Sequence, residues 1–288
     1  MIKNMKKIKD WGLGLNTPLL IAGPCSAETQ EQVVETGREI AKHGKAQVFR
    51  AGIWKPRTRP GSFEGIGEEG LKWMNEVKKE TGMLLTTEVA TTEHVELALK
   101  HGIDILWIGA RTTVNPFSVQ DIADALKGVN IPVMVKNPIN PDIALWIGAM
   151  ERLANSGIDR VAAIHRGFSS FEKSPFRNAP MWEMGIELKT QFPNLDIICD
   201  PSHIAGTREL IPYVSQKALD LDMAGLMIET HITPSVAWSD AKQQVTPDRL
   251  NELYNALTFR TASSDNVEFG SKLEALRAEI DRLDDQIF

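Results

Sequence analysis

Cysteine is scarce in this chain: Cys25 and Cys199 are the only two among 288 residues. Two thiols exclude a disulfide-stapled scaffold and fit a reducing compartment. Long apolar runs are missing as well, since none approaches the ~18 residues that a membrane span needs. The lysine-rich start, MIKNMKKIKDWGLGL, has no apolar stretch behind it and does not read as a secretory signal. Positive charge is not in excess either. The 32 Lys and Arg against 38 Asp and Glu leave a net charge of −6, which argues against a sequence-independent nucleic-acid binder. With 42% hydrophobic and 24% charged residues the chain can bury a sizeable core. The expectation is a soluble, cytoplasmic protein with neither a membrane nor a nucleic acid as partner.

What is present is a repeated punctuation. Gly44, Gly82, Gly102, Gly128 and Gly157 each follow a polar stretch of helical period, where a left-handed glycine ends a helix. Soon after each comes a short apolar run: QVFRAGI, LLTTEV, ILWIGA, PVMVKN and RVAAIHRG. LLIAGPCS near the start, and DIICDPS and GLMIETH later, bring the candidate strands to eight. Their bodies are too continuously apolar for half-exposed antiparallel strands, and the segments between them are long enough for crossover helices. The pattern predicts an α/β fold, a (β/α)8 barrel, over residues 1–260, with 1–18 as an N-terminal extension that covers the bottom. An open doubly wound sheet is the alternative, but no glycine-rich dinucleotide fingerprint follows the first strand. The last unit shows Thr246 as N-cap, Pro247 at the first helical position, and Leu250, Leu253, Tyr254 and Leu257 on one face.

Residues 261–270 read as a polar linker. Beyond it Ser271 and Glu274 suggest a capping box, and Leu273, Leu276, Ile280, Leu283 and Ile287 form the seam of an amphipathic C-terminal helix over 271–288. One helix this short is marginal alone. It is expected to dock on the barrel, pair with a copy of itself, or begin a further domain.

A barrel of this kind carries its active site at the C-terminal ends of its strands. Those ends read Cys25, Arg50, Glu88, Arg111, Lys136, Arg166, Asp200 with His203, and Glu229 with His231. One charge after a strand is usually a solvated loop residue; eight in succession are harder to dismiss. Arg50, Lys55, Arg57, Arg111, Lys136 and Arg166 would gather six cations on one face of an acidic protein. Such a cluster repels itself unless phosphates or carboxylates occupy it, so a polyanionic small substrate is expected. Cys25, His203, Glu229 and Asp240 offer a thiolate, an imidazole and two carboxylates, a set suited to Mn²⁺, Fe²⁺, Co²⁺ or Zn²⁺. They are scattered in sequence, and Cys25 taken alone reads more readily as a small buried residue than as a ligand. Cys199 reads as core. His43 and His101 each precede a helix-ending glycine, where they complement the dipole. His231 is left as a ligand or a ligand's partner, and His94 and His165 have no assigned role.

GPCS (23–26), KPRT (55–58), IGAR (108–111), DPSH (200–203) and IETH (228–231), in this order at successive strand ends, resemble the compact type I branch of the 3-deoxy-D-arabino-heptulosonate 7-phosphate (DAHP) synthases. The resemblance covers roughly residues 19–245. It implies a transferase that condenses phosphoenolpyruvate with erythrose 4-phosphate, releases phosphate and opens the shikimate route, with Mn²⁺ the favoured metal. It implies Cys25, His203, Glu229 and Asp240 as metal ligands. The phosphoenolpyruvate pocket would be Arg50, Lys55, Glu88, Arg111, Lys136 and Arg166, with the backbone of Ala110 at the phosphate. Arg57 and Thr58 would hold erythrose 4-phosphate, which Asp240 also reaches. Lys55, His203 and Glu88 are the implied catalytic groups: Lys55, or a water held near His203, as proton donor, and Glu88 orienting the attacking water. Three departures fall nearby: Asn137 and Pro138 after Lys136, where an arginine and a glycine are usual; His165 before Arg166, where a glutamate is common; and Arg59 after KPRT. The tail resembles the start of the first helix of an all-helical chorismate mutase, with Arg277 at that family's early substrate-binding arginine. One helix cannot complete a mutase pocket, so mutase activity is not expected. A homodimer or homotetramer is. The rival readings are a sister synthase that takes arabinose 5-phosphate, a class II type aldolase, and a non-catalytic regulatory subunit.

Overall fold

The computed structural model describes residues 2–56, 61, 63–260 and 266–287. All eight apolar runs are strands: β1 (Leu19–Gly23), β2 (Val48–Arg50), β3 (Leu84–Val89), β4 (Ile105–Ile108), β5 (Val133–Lys136), β6 (Val161–His165), β7 (Ile197–Cys199) and β8 (Gly225–Glu229). Each pairs in parallel with the next, and β8 returns to β1 through Leu19 opposite Gly225 and Gly23 opposite Glu229. The sheet is closed, so this is the (β/α)8 barrel and not the open sheet.

Crossover helices follow the strands: α1 (Gln30–Lys42), α2 (Glu68–Thr81), α3 (Thr92–Lys100), α4 (Ala110–Thr113), α5 (Pro116–Ala125), α6 (Ile143–Asn155), α7 (Trp182–Gln191), α8 (Pro201–Ala205), α9 (Ile211–Asp220) and α10 (Pro247–Ala256). Their starts carry the expected chemistry. The Thr29 hydroxyl accepts from Gln32 N at 3.1 Å, and Thr246 accepts from Arg249 N at 3.2 Å with Pro247 one residue in. Gly82 ends α2 at φ 73, a conformation that costs glycine little.

Strand parity divides the interior in two. Leu19, Ile21, Val48, Ile105, Met134, Ala162, Ile164, Ile198 and Met227 point into the barrel, while the residues between them face the helices. The lower mouth is closed by the N-terminal segment. Ile8, Trp11 and Leu15 pack against that inner layer, Ile8 N donates to Asp196 Oδ2 at 2.7 Å, and Arg160 donates to the Trp11 carbonyl at 2.7 Å. Asp196 and Arg160 immediately precede β7 and β6, so the contacts mark the N-terminal end of the strands. Every group with chemistry is thereby left at the other end.

The chain divides into two compact units, Met1–Leu257 and Thr258–Phe288. In the second, α11 (Val267–Ile287) starts earlier than the sequence suggests. Asn266 Oδ1 accepts from Phe269 N at 3.0 Å and caps it, whereas Ser271 lies inside the helix with its hydroxyl donating to the Val267 carbonyl. The helix start expected at 271 is therefore corrected, with Asn266 and not Ser271 as the cap, while residues 261–265 of the expected linker lie outside the described residues. No helix among the described residues is long and apolar enough to cross a membrane.

Candidate active site

The parity that fills the barrel also sets out the site. Two residues beyond the inward Val48, Thr86, Met134, Ile164, Ile198 and Met227 stand Arg50, Glu88, Lys136, Arg166, Asp200 and Glu229, all facing the upper mouth. Trp107, fully buried, forms the floor. Its ring lies 4.9 Å from the Arg50 guanidinium and 5.8 Å from Lys136 Nζ, and its indole N–H donates to Glu88 Oε2 at 3.0 Å. Glu88 also lies against Gly109: a Cβ there would sit 2.0 Å from Glu88 Oε1, so only glycine leaves the carboxylate its place. Lys55, Glu88, Ala110, Arg111, Lys136, Arg166, His203 and Asp240 line one cleft, joined by Pro56 and Arg177.

At one side of the cleft, ligand atoms of Cys25, Glu229 and Asp240 lie within 4.8 Å of one another. His203 adjoins them, its Nε2 3.8 Å from Glu229 Oε1 and 4.0 Å from Asp240 Oδ2. His203 Nδ1–H donates to the Asp200 carboxylate at 2.8 Å, which leaves Nε2 with its lone pair toward Glu229 and Asp240. Burial also lowers the His203 pKa, against the pull of Asp200 and Glu229, and so favours the neutral ring that a metal ligand requires. The Cys25 thiol is pushed up to about 12, mainly by burial and then by Glu229. A nearby cation would reverse that preference. Burial alone would raise Asp240, but His203, Arg177 and Lys55 outweigh it and hold its carboxyl well below the usual range. The donor set fits a divalent ion on a further ground: Glu229 Oε1 is buried and lacks a hydrogen-bond donor.

The other side is cationic. Lys136 pairs with Asp200 at 2.7 Å and Arg50 NH1 lies 3.5 Å from Glu229 Oε1. Lys55 Nζ donates to the Cys25 carbonyl at 3.0 Å and lies 2.9 Å from its sulfur. Although burial opposes charge on Lys55, Cys25 and Glu229 raise its pKa and keep it an ammonium. Arg50 Nε and NH1 are buried with no hydrogen-bond acceptor. Arg166 donates to two neutral oxygens, Gly167 O and Asn178 Oδ1, and burial lowers its pKa to about 10. These are groups that an anion would satisfy.

Most residues singled out in the sequence thus meet in one place; Arg57 and Thr58 lie outside the described residues. His231 turns elsewhere, its Nε2 facing Glu28 Oε2 at 3.6 Å and its Nδ1 accepting from Thr233 N. Asn137 has a bracing role: it donates to the Pro138 and Gly167 carbonyls and accepts from Arg166 N, tying the end of β5 to the end of β6. Sequence reasoning missed Arg177, Asn178, Gln243 and Gln244. Arg177 reaches Asp240 Oδ1 at 2.9 Å and Gln243 Oε1 at 2.6 Å, and Gln244 Oε1 accepts from Cys25 N at 2.9 Å. For Arg177 and Asn178 the one sequence signal is the unusual length of loop 166–181, which without an element of its own is more often functional than not; Gln243 and Gln244 sit between β8 and α10.

Comparison with known proteins agrees with this geometry. A family model described as the DAHP synthetase I family matches residues 3–263. A phospho-2-dehydro-3-deoxyheptonate aldolase of Thermotoga maritima is 34% identical over 234 residues, which span 81% of this chain and 67% of the relative. A crystal structure of a Thermotoga maritima enzyme of that description superposes with a TM-score of 0.74 at 32% identity, over 82% of this chain and 67% of the other. A 2-dehydro-3-deoxyphosphooctonate aldolase of Dechloromonas aromatica is 28% identical over 276 residues, 87% of this chain and 94% of the relative.

Proposed function

Because the chain belongs to the DAHP synthetase I family, we propose that its barrel joins phosphoenolpyruvate to erythrose 4-phosphate, with a divalent metal ion, to give DAHP and phosphate. The observation that carries this reading is the pairing of two unmet demands in one mouth. Two of the three guanidinium nitrogens of Arg50, Nε and NH1, lack a hydrogen-bond acceptor, and 3.5 Å from NH1 the buried Glu229 Oε1 lacks a hydrogen-bond donor. An anionic substrate answers the first and a cation the second.

The reaction needs both. Carbon 3 of phosphoenolpyruvate forms a bond to the aldehyde carbon, the aldehyde oxygen gains negative charge, and carbon 2 becomes cationic. Arg50, Lys136 and Arg166 hold the carboxylate and phosphate so that the two carbons meet in a reactive geometry. Cys25, His203, Glu229 and Asp240 would hold the metal, which supplies Lewis-acid polarisation when bound. Lys55 Nζ, kept protonated beside Cys25, donates the proton that turns the aldehyde oxygen into a hydroxyl. Water adds at carbon 2 with Glu88, fixed by the Trp107 N–H, orienting it. Phosphate then leaves by carbon–oxygen cleavage. The favoured ion is Mn²⁺, since the mixed sulfur, nitrogen and oxygen set suits a first-row metal and the two carboxylates favour the harder end of that series.

Phosphate release from phosphoenolpyruvate tests this, with erythrose 4-phosphate or arabinose 5-phosphate, before and after chelation and return of Mn²⁺. Release that requires erythrose 4-phosphate and returns with the metal is the expected result. Release with arabinose 5-phosphate instead would move the chain toward the phosphooctonate relatives, and activity that survives chelation would remove the metal.

A further inference from the structure

The two carboxylates of the metal set share a feature that folding of the barrel does not require. Each has one oxygen tied by a loop residue and the other left facing inward. Glu229 Oε2 accepts from Gln243 Nε2 at 2.6 Å, while Oε1 has no donor and lies 3.8 Å from His203 Nε2. Asp240 Oδ1 accepts from Arg177 NH1 at 2.9 Å, while Oδ2 lies 3.5 Å from Cys25 Sγ and 4.0 Å from His203 Nε2. The two ties are one structure, since the same Arg177 nitrogen also donates to Gln243 Oε1 at 2.6 Å. Gln243 therefore spends its carbonyl oxygen on Arg177 and its amide N–H on Glu229. From these contacts we propose that Arg177 and Gln243 are positioning residues: a brace that holds Glu229 and Asp240 with one oxygen each presented to the metal before any metal arrives. The inference rests on the metal site proposed above.

The alternatives to a brace are unfavourable in this setting. The buried Glu229 carboxylate and the half-buried Asp240 carboxylate repel one another, and without fixed donors each could rotate to satisfy itself elsewhere. Arg177 supplies positive charge to the pair, and Gln243 supplies a neutral, doubly engaged link that keeps its donor end toward Glu229. The loops are themselves pinned. Arg177 N donates to the Ala205 carbonyl, and Asn178 Nδ2 donates to the His203 carbonyl at 2.6 Å, which ties the Arg177 strap to the ligand helix α8. Asp240 is held at φ 49, outside the comfortable range for a residue with a side chain, and its own carbonyl accepts from Gln243 N at 3.1 Å. A left-handed non-glycine backbone at a ligand position persists where its surroundings over-determine it.

The test is Mn²⁺ affinity, measured directly by the loss of the free-ion paramagnetic resonance signal, not by turnover. Gln243→Met keeps the volume and removes both hydrogen bonds. Arg177→Met removes the charge from a side chain that is 45% exposed and so has little core to lose. Each variant should weaken Mn²⁺ binding by about 10–100-fold, the usual loss when a partner of a ligand is removed. The melting temperature in chelator should stay within a few degrees of the wild type. Arg177→Lys, which keeps the charge but on a shorter side chain without the planar guanidinium that aims the donor, should recover part of the affinity. Unchanged Mn²⁺ affinity in both methionine variants would overturn the brace, as would a drop in affinity fully accounted for by a lower melting temperature in chelator. Failure of the wild-type protein to bind about one Mn²⁺ per chain would instead sink the metal reading itself, so the two failures are separable.

Discussion

At the end of β6 two adjacent side chains meet opposite fates. Arg166 shares the inward parity of Ala162 and Ile164 and enters the site; His165 points outward and is fully buried. Its ring lies 5.4 Å from Trp182, 5.8 Å from Phe168 and 6.2 Å from Trp146, and neither nitrogen has a hydrogen-bond partner. Burial, the largest influence, lowers its pKa to about 4. The ring stays neutral in the folded protein, while in the unfolded chain it takes up a proton near its ordinary pKa of ~6.5. The stability it contributes is thus fully present above ~6.5 and is lost as pH falls toward about 4, on the order of 3 kcal/mol across that window. His165→Leu should flatten the stability profile between pH 6.5 and 4.5 by close to one proton, read by urea unfolding at several pH values. An equal slope in both proteins would show that His165 is not held neutral. Alternation along RVAAIHRG already gives Arg166 and His165 opposite faces. What it cannot give is the aromatic surround, which comes from α6, from α7 and from the loop between β6 and α7.

At the level of elements, legibility followed local rules. The strands were readable because both faces are buried, which makes them continuously apolar, and because a helix-ending glycine precedes five of them, β2 to β6. The candidate site was readable where a strand end carried it, as at Arg50, Glu88, Lys136 and Glu229. Arg177, Asn178 and Gln243 lie on loops, where no period announces which way a side chain points, and their partners are distant in sequence. The start of α11 was misplaced because Ser271 and Glu274 imitate a cap that Asn266 already provides. The N-terminal segment has no regular period either, yet Trp11 is 2% exposed at the closed end of the barrel. Trp11→Ala should therefore cost about 3–5 kcal/mol in urea unfolding, as large-to-small core changes do. Turnover per folded molecule should stay within about twofold, because the site lies at the opposite end of the strands. A large loss of turnover with little loss of stability would mean that the lower mouth shapes the site after all.

At the scale of the whole molecule, the barrel is closed without the second unit. Its sheet has no open edge, α10 follows the last strand, and Leu257 is the last buried apolar residue among those described. In the second unit α11 exposes Leu276, Ile280 and Leu283 at the three- and four-residue spacing of a helix seam. Surface pairs such as Lys272–Glu268 and Arg282–Glu279 add only a few tenths of a kcal/mol to an isolated helix. The seam is thus the part of this element with most to gain from a partner. A chain ending at Leu257 should keep the melting temperature of the full chain within a few degrees and its kcat/KM within about twofold. Sedimentation of the two forms would show separately whether the seam drives self-association. If the shortened chain instead loses activity and association together, the barrel depends on assembly through the seam, and the second unit belongs to the catalytic unit in function.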